Sequence, residues 1–126
     1  MAKTEEQVYV KYKYALALKK LQEKNKIQKK KNDRKGIVDN SFDHSYGAIS
    51  SSTGLRAATI SNIITGSAEI KTFTLYLILS SLNVSYSQFG KVFDKLTETE
   101  VINYKNQITK ERHEREEKSR KKLKNR

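Results

Sequence analysis

Cysteine, proline and tryptophan are absent from this chain, and glycine occurs at only five positions. Without cysteine there is neither a disulfide framework nor a thiolate metal site, which fits a reducing cytoplasm. Without proline, and with so few glycines, little interrupts helices, and a mostly helical chain is expected. Long hydrophobic runs are missing too. The segment MAKTEEQVYV has no apolar core of the signal-peptide kind, and Phe73 to Leu82 is about half of the roughly 20 residues that span a bilayer, so a soluble protein is expected. Two histidines, far apart, and no glycine-rich phosphate loop leave no convergent acid, base and nucleophile; neither an enzyme nor a cofactor is expected. Asp39, Asp43 and His44 are the one cluster with ligand chemistry, and a polar loop leading into a helix cap explains them as well as a metal does.

What the chain does have is positive charge, +12 in total, and it is unevenly spread. Residues 1–35 hold 12 Lys/Arg against 4 Asp/Glu, residues 36–96 hold 4 of each, and residues 97–126 hold 10 against 6. A neutral middle is thus flanked by basic segments of +8 and +4. For a nucleic-acid partner, sequence-independent attraction would come from the flanks through counterion release, and position and readout from the middle.

Helical spacing of Tyr14, Ala17, Leu18 and Leu21 predicts a first helix over Val8–Ile27. Strict alternation of Val8, Val10, Tyr12, Tyr14, Leu16 and Leu18 leaves an N-terminal β-arm open as the alternative. Gln28–Asp43, with its KKKNDRKG run, reads as a loop. Ser45 is positioned to cap a short helix that ends at Gly54, and a second short helix follows to Gly66. Gly54 can take the left-handed backbone of a tight corner, Ser50 is small at the crossing, and Ile49, Leu55, Ile60 and Ile63 or Ile64 supply the apolar lock. After a loop over Ser67–Lys71, Thr72 or Thr74 opens an apolar helix expected at the centre of the scaffold, with Leu75 in the core. Ser85 then caps a fifth helix carrying Tyr86, Phe89, Val92, Phe93 and Leu96. Thr97 and Glu100 match a capping box for a last helix, in which Val101, Tyr104 and Ile108 share a face. Glu111/Arg115, Glu114/Lys118, Glu116/Arg120 and Glu117/Lys121 are favourable i,i+4 pairs, each contributing about 0.2–0.5 kcal/mol.

The segment from Ser45 to about Phe93 resembles the Cro/repressor, or XRE-like, helix-turn-helix family. Ser45 stands at the cap of the family's second helix, Ile49-Ser50 at its apolar–small pair, Gly54 at its turn and Thr59-Ile60-Ser61 at the start of its recognition helix. Gly66 ends that helix, and Thr74-Leu75 through Leu82-Asn83-Val84-Ser85 resembles the fourth helix and its exit, with Phe89 in the fifth. Ser50 replaces the family's usual alanine, the groove-facing positions lack its long Gln or Arg, and the stretch before Ser45 is unusually long. The resemblance implies a compact five-helix lambda-repressor-like domain in an all-α chain. Residues 1–44 would be a basic N-terminal helix and lysine-rich loop, 45–96 the helix-turn-helix core, and 97–126 a charged C-terminal helix or tail.

It also implies a sequence-specific protein of double-stranded DNA, a transcriptional regulator of the cytoplasm and nucleoid. The recognition helix would run from Ala57 to Thr65, with Ala57, Ala58, Ser61 and Asn62 facing the bases. Asn62 can pair bidentately with adenine, worth about 1–3 kcal/mol of discrimination, while the alanine methyls suit thymine methyls. Lys29, Lys30, Lys31, Arg34, Lys35, Tyr46, Arg56 and Thr59 are the candidate phosphate contacts. Two copies on adjacent half-sites would be typical of this architecture, and Tyr86, Phe89, Phe93, Val101, Tyr104 and Ile108 are the candidate homodimer face, with packing inside the chain as the alternative, preferred for Phe89 and Phe93 over Tyr104 and Ile108. Two other readings stay open: an antitoxin-like or accessory protein whose C-terminal helix holds a protein partner, and an RNA-binding or sequence-blind nucleoid protein.

Overall fold

Thr4 opens the first helix with a reciprocal cap: its hydroxyl accepts from the Gln7 amide at 3.1 Å, and the Gln7 side chain accepts from the Thr4 amide at 2.9 Å. The computed structural model of the protein describes residues 4–38 and 42–124, and among them every regular element is a helix. In chain order these are α1 (Glu5–Arg34), α2 (Tyr46–Thr53), α3 (Ala57–Ile64), α4 (Thr72–Ser81), α5 (Tyr86–Lys95) and α6 (Glu98–Lys124).

α1 departs from the Val8–Ile27 helix and from the β-arm expected of its sequence. Tyr12, Ala15, Leu16, Ala17, Leu18 and Leu21 are buried on it; four of them are consecutive, so burial follows neither the alternation of a half-exposed strand nor a single helical stripe but a helix covered on most of its circumference, and the alternation of Val8 to Leu18 is incidental. Residues Gln28–Arg34, expected as loop, are helical. Lysine and glutamine are good helix formers, no glycine intervenes before Gly36, and Lys31 and Arg34 sit favourably at the negative end of the helix dipole.

The centre of the scaffold is also α1 and not α4. Ala15, Ala17 and Leu18 are fully buried, and α3, α5 and α6 all pack against this helix. On α4 only Ile78 and Leu79 are buried; Leu75, expected in the core, is half-buried, and Phe73 and Tyr76 are exposed. Ala15 and Ala17 put little side-chain bulk between α1 and the helices that pack on it.

Of the six residues proposed above as a homodimer face, five are covered within the chain itself. Phe89, Val101, Tyr104 and Ile108 are buried in the protein's own core, and Phe93 is half-buried, its ring 4.9 Å from Tyr14 and beneath the Lys13 ammonium; only Tyr86 is exposed. The cause is α1, which covers the faces of α5 and α6 that would otherwise be apolar and open.

Local signals placed the remaining caps correctly. Ser85 and Gln88 form a capping box on α5, and Thr97 with Glu100 does the same at α6. Along α6, Arg115 and Glu111 stand 4.0 Å apart, and Glu117 takes His113 at 3.4 Å instead of Lys121. Residues 113–124 of α6 are exposed throughout. No helix among the described residues is long and apolar enough to cross a membrane.

Candidate nucleic-acid interface

α2 is only eight residues long, too short to stand alone, and both its ends are held by side chains. The Ser45 hydroxyl accepts from the Ala48 amide at 3.0 Å. At the other end Gly54 adopts φ +77°, and its amide donates to the Ser50 carbonyl at 2.9 Å. Ser50 does more than leave room for the crossing. Its hydroxyl donates to the Leu55 carbonyl at 2.6 Å, while the Thr53 hydroxyl accepts from the Leu55 amide at 3.1 Å. Both polar groups of Leu55 are thereby satisfied within a corner of three residues, and Ser50 acquires a structural role.

α3 leaves this corner with Ile60, Ile63 and Ile64 turned inward and buried. Of the four residues expected to face bases, Ala57, Ala58 and Asn62 are exposed and Ser61 is half-buried. Arg56, the N-cap residue, makes no side-chain capping bond, so the first-turn amides of α3 are not consumed by its own cap. Arg56 and Thr59 are exposed beside them, and Tyr46 is half-buried at the start of α2.

The other basic candidates lie on a helix, not on the loop expected for them. Lys29, Lys30, Lys31 and Arg34 occupy the last two turns of α1, with Lys35 as its C-cap, and all five are exposed. Asn25 sets where this basic end lies. It is buried, and its amide nitrogen donates to the carbonyls of Asp43 and Leu82, each at 2.8 Å, while the Gln22 amide donates to the His44 carbonyl at 2.6 Å. These bonds moor α1 to the residues just before α2 and to the end of α4, so the five cations begin about 6 Å and end about 15 Å beyond Asn25 along the α1 axis.

Asp43 is engaged as an acceptor, from Ser52 at 2.5 Å and from Ser81 at 3.1 Å, tying the approach to α2 onto α2 and α4. Asp39, the partner considered for it in a metal site, lies outside the described residues. Among the described residues no group of three or more His, Cys, Asp or Glu side chains is placed to hold a metal ion.

The carboxyl end of α3 is held from far away in the chain. The Tyr104 hydroxyl of α6 donates to the Ile64 carbonyl at 2.5 Å, and one guanidinium nitrogen of Arg112 donates to the Thr65 carbonyl at 3.1 Å and to the Ser67 hydroxyl. Burial holds the Tyr104 phenol well above its ordinary ionisation range, so it remains a donor. Gly66, next in the chain, has φ +74° and stands so close to the Tyr12 ring of α1 that an added Cβ would lie 2.4 Å from Cε1. Sequence reasoning missed Gln22, Asn25 and Arg112, and it assigned Tyr104 to a dimer face. Nothing local marks them, because their partners are 18 to 57 residues away. Comparison of the chain with protein-family models, with curated proteins and with solved structures finds no match.

Proposed function

We propose that this chain is a sequence-specific double-stranded-DNA-binding protein, a transcription regulator with a lambda-repressor-like helix-turn-helix, that reads the major groove with α3 and grips phosphates with its basic flanks. The observation that carries this reading is α3 itself. It is a helix of eight residues with three isoleucines buried, an outward side of small or short polar residues, an amino end free of side-chain capping, and a glycine corner behind it. Such a helix is slim enough to enter a groove about 12 Å wide, with Asn62 able to take adenine and Ala57, Ala58 and Ser61 making lesser contacts. Arg56, Thr59, Tyr46 and the amides at the start of α3 would meet the phosphates beside that groove. The basic end of α1 would meet phosphates further along the duplex. Two copies on paired half-sites would give the site its length.

Selection of bound duplexes from a random pool tests this. An enriched sequence is expected, and Asn62→Ala should relax preference at one base pair while sparing the rest. Changing Lys29, Lys30 and Lys31 together to Gln should weaken all duplexes alike and lower the salt slope by about 0.9 for each phosphate no longer neutralised. A pool that shows no enrichment overturns the proposal. The exposed run 113–124 of α6, about 18 Å of helix with nothing packed on it, favours one second reading, an accessory or antitoxin-like protein that holds a protein partner there. In that case deleting residues 113–126 abolishes partner capture and leaves duplex selection intact.

A further inference from the structure

The groove-reading proposal leaves open what sets the angle of α3, and the polar contacts of that helix are concentrated at one end. Its amino end is joined to the corner at Gly54 and carries no side-chain cap. At its carboxyl end, the Ile64 and Thr65 carbonyls accept from Tyr104 and Arg112, both on α6 and 40 and 47 residues away. The Arg112 guanidinium also reaches Ser67, beyond the turn. A cation and a phenol thus satisfy carbonyls that a helix end leaves unpaired, in the place where positive charge is electrostatically favoured.

We infer that Tyr104 and Arg112 are positioning residues for base reading: α6 fixes the tilt of α3, so sequence discrimination depends on a helix outside the helix-turn-helix. This rests on the reading of α3 as the groove helix.

The lever is short enough to matter. Eight residues make α3 about 12 Å long, and Ser61 and Asn62 lie in its carboxyl half. A shift of about 1.5 Å at the carboxyl end, pivoting at the amino end, moves them by roughly 0.9 and 1.1 Å. The hydrogen bonds of a bidentate Asn–adenine pair tolerate only about 0.5 Å in donor–acceptor distance, so a displacement of that size breaks one of the two. Phosphate contacts made by long lysine side chains on α1 absorb the same displacement, since each is a flexible point charge. Loss of the α6 clamp therefore lowers discrimination more than it lowers overall affinity.

The experiment compares the full-length chain with Tyr104→Phe and Arg112→Met. Each is titrated against the duplex best enriched in the selection and against a scrambled duplex of equal length at the same salt concentration. Tyr104→Phe removes a single oxygen and keeps the ring in the core, so it carries the test even if Arg112→Met unfolds; a thermal melt identifies which variants are folded. Expected is a fall of about tenfold or more in the ratio of the two affinities, with scrambled-duplex affinity within about twofold of the parent. A ratio unchanged in the folded variants overturns the inference while leaving α3 as the reader. Equal losses on both duplexes also overturn it, because they would make Arg112 a phosphate contact. A parent chain that binds both duplexes alike overturns the groove reading, and this inference with it.

Discussion

Gly66→Ala is expected to be among the most damaging single-methyl changes in this protein, and the structure sets its size. Two costs combine. At φ +74° an L side chain crowds its own backbone, which costs about 1–2 kcal/mol. A Cβ built there would also lie 2.4 Å from Cε1 and 2.6 Å from Cδ1 of the buried Tyr12 ring, so the ring or the turn must give way by about 1 Å, an overpacking cost of about 1–3 kcal/mol. The sum is about 2–5 kcal/mol. For 126 residues the unfolding entropy is roughly 0.26 kcal/mol per degree, so Tm should fall by about 8–19 °C. Gly54→Ala is the matched control, because Gly54 has φ +77° with nothing within 4 Å of an added Cβ. It should lose only about 4–8 °C. Any gain from restricting the unfolded chain is common to both variants and cancels in the difference. Urea and thermal melts of the two proteins measure that difference. Repeating Gly66→Ala in a Tyr12→Leu background should shrink its cost toward that of Gly54→Ala. Equal destabilisation by the two glycine substitutions would refute the placement of Tyr12 against Gly66, and with it the account of how α1 steadies the end of α3.

Asn25→Leu should cost about 2–4 kcal/mol in a urea melt, because it withdraws the donor from two carbonyls, Asp43 and Leu82, that converge on one buried side chain. A cost below about 0.5 kcal/mol would show that the moorings of α1 to the approach of α2 do not exist in solution. The Glu100 carboxyl is held below its ordinary range, first by the hydrogen bond from Lys20 at 2.6 Å and then by the Thr97 amide. A folded-state value below the unfolded one means that its stabilisation is fully present above about pH 4.5 and is lost as pH falls through the folded value. The stability gap between parent and Lys20→Met should therefore be widest near neutrality and close below about pH 4.5 in urea melts run across pH; a gap that stays constant would mean Lys20 acts through packing alone.

How much of this was legible in the sequence depends on how far each interaction reaches. Ser45, Ser85 and the Thr97/Glu100 pair cap helices three residues away, and Gly54 makes a turn with its immediate neighbours, so spacing was sufficient to place them. The inward isoleucines of α3 and its small outward residues follow from a period that eight residues already display. The run from Gln28 to Arg34 failed for a different reason. Consecutive lysines mark solvent exposure, and an exposed loop and the exposed end of a long helix have that composition in common. Tyr104 and Ile108 failed because an apolar face signals burial without naming what buries it, and the buried apolar part of the covering helix α1, which ends at Leu21, lies more than 80 residues earlier. Arg112 resembled its charged neighbours in every local respect; only the folded chain sets it beside the Thr65 carbonyl.

α1 belongs to both the core and the basic flank, and the two roles fall on different parts of it. Its buried apolar residues end at Leu21, Asn25 moors it, and from Lys24 to Lys35 it carries Lys24, Lys26, Lys29, Lys30, Lys31, Arg34 and Lys35 against Asp33 alone. The lysines at 29–31 are exposed and share good helix propensity with glutamine, so replacing them removes self-repulsion without opening the core or weakening the helix. Core packing and the basic charge proposed to meet phosphates are thus carried by separate stretches of one helix. Had those lysines lain on a loop, their neutralisation could have altered the path of the chain into α2 as well as its charge. On a helix moored at Asn25 it changes charge alone, and a loss of affinity in the triple variant can be assigned to phosphate contact.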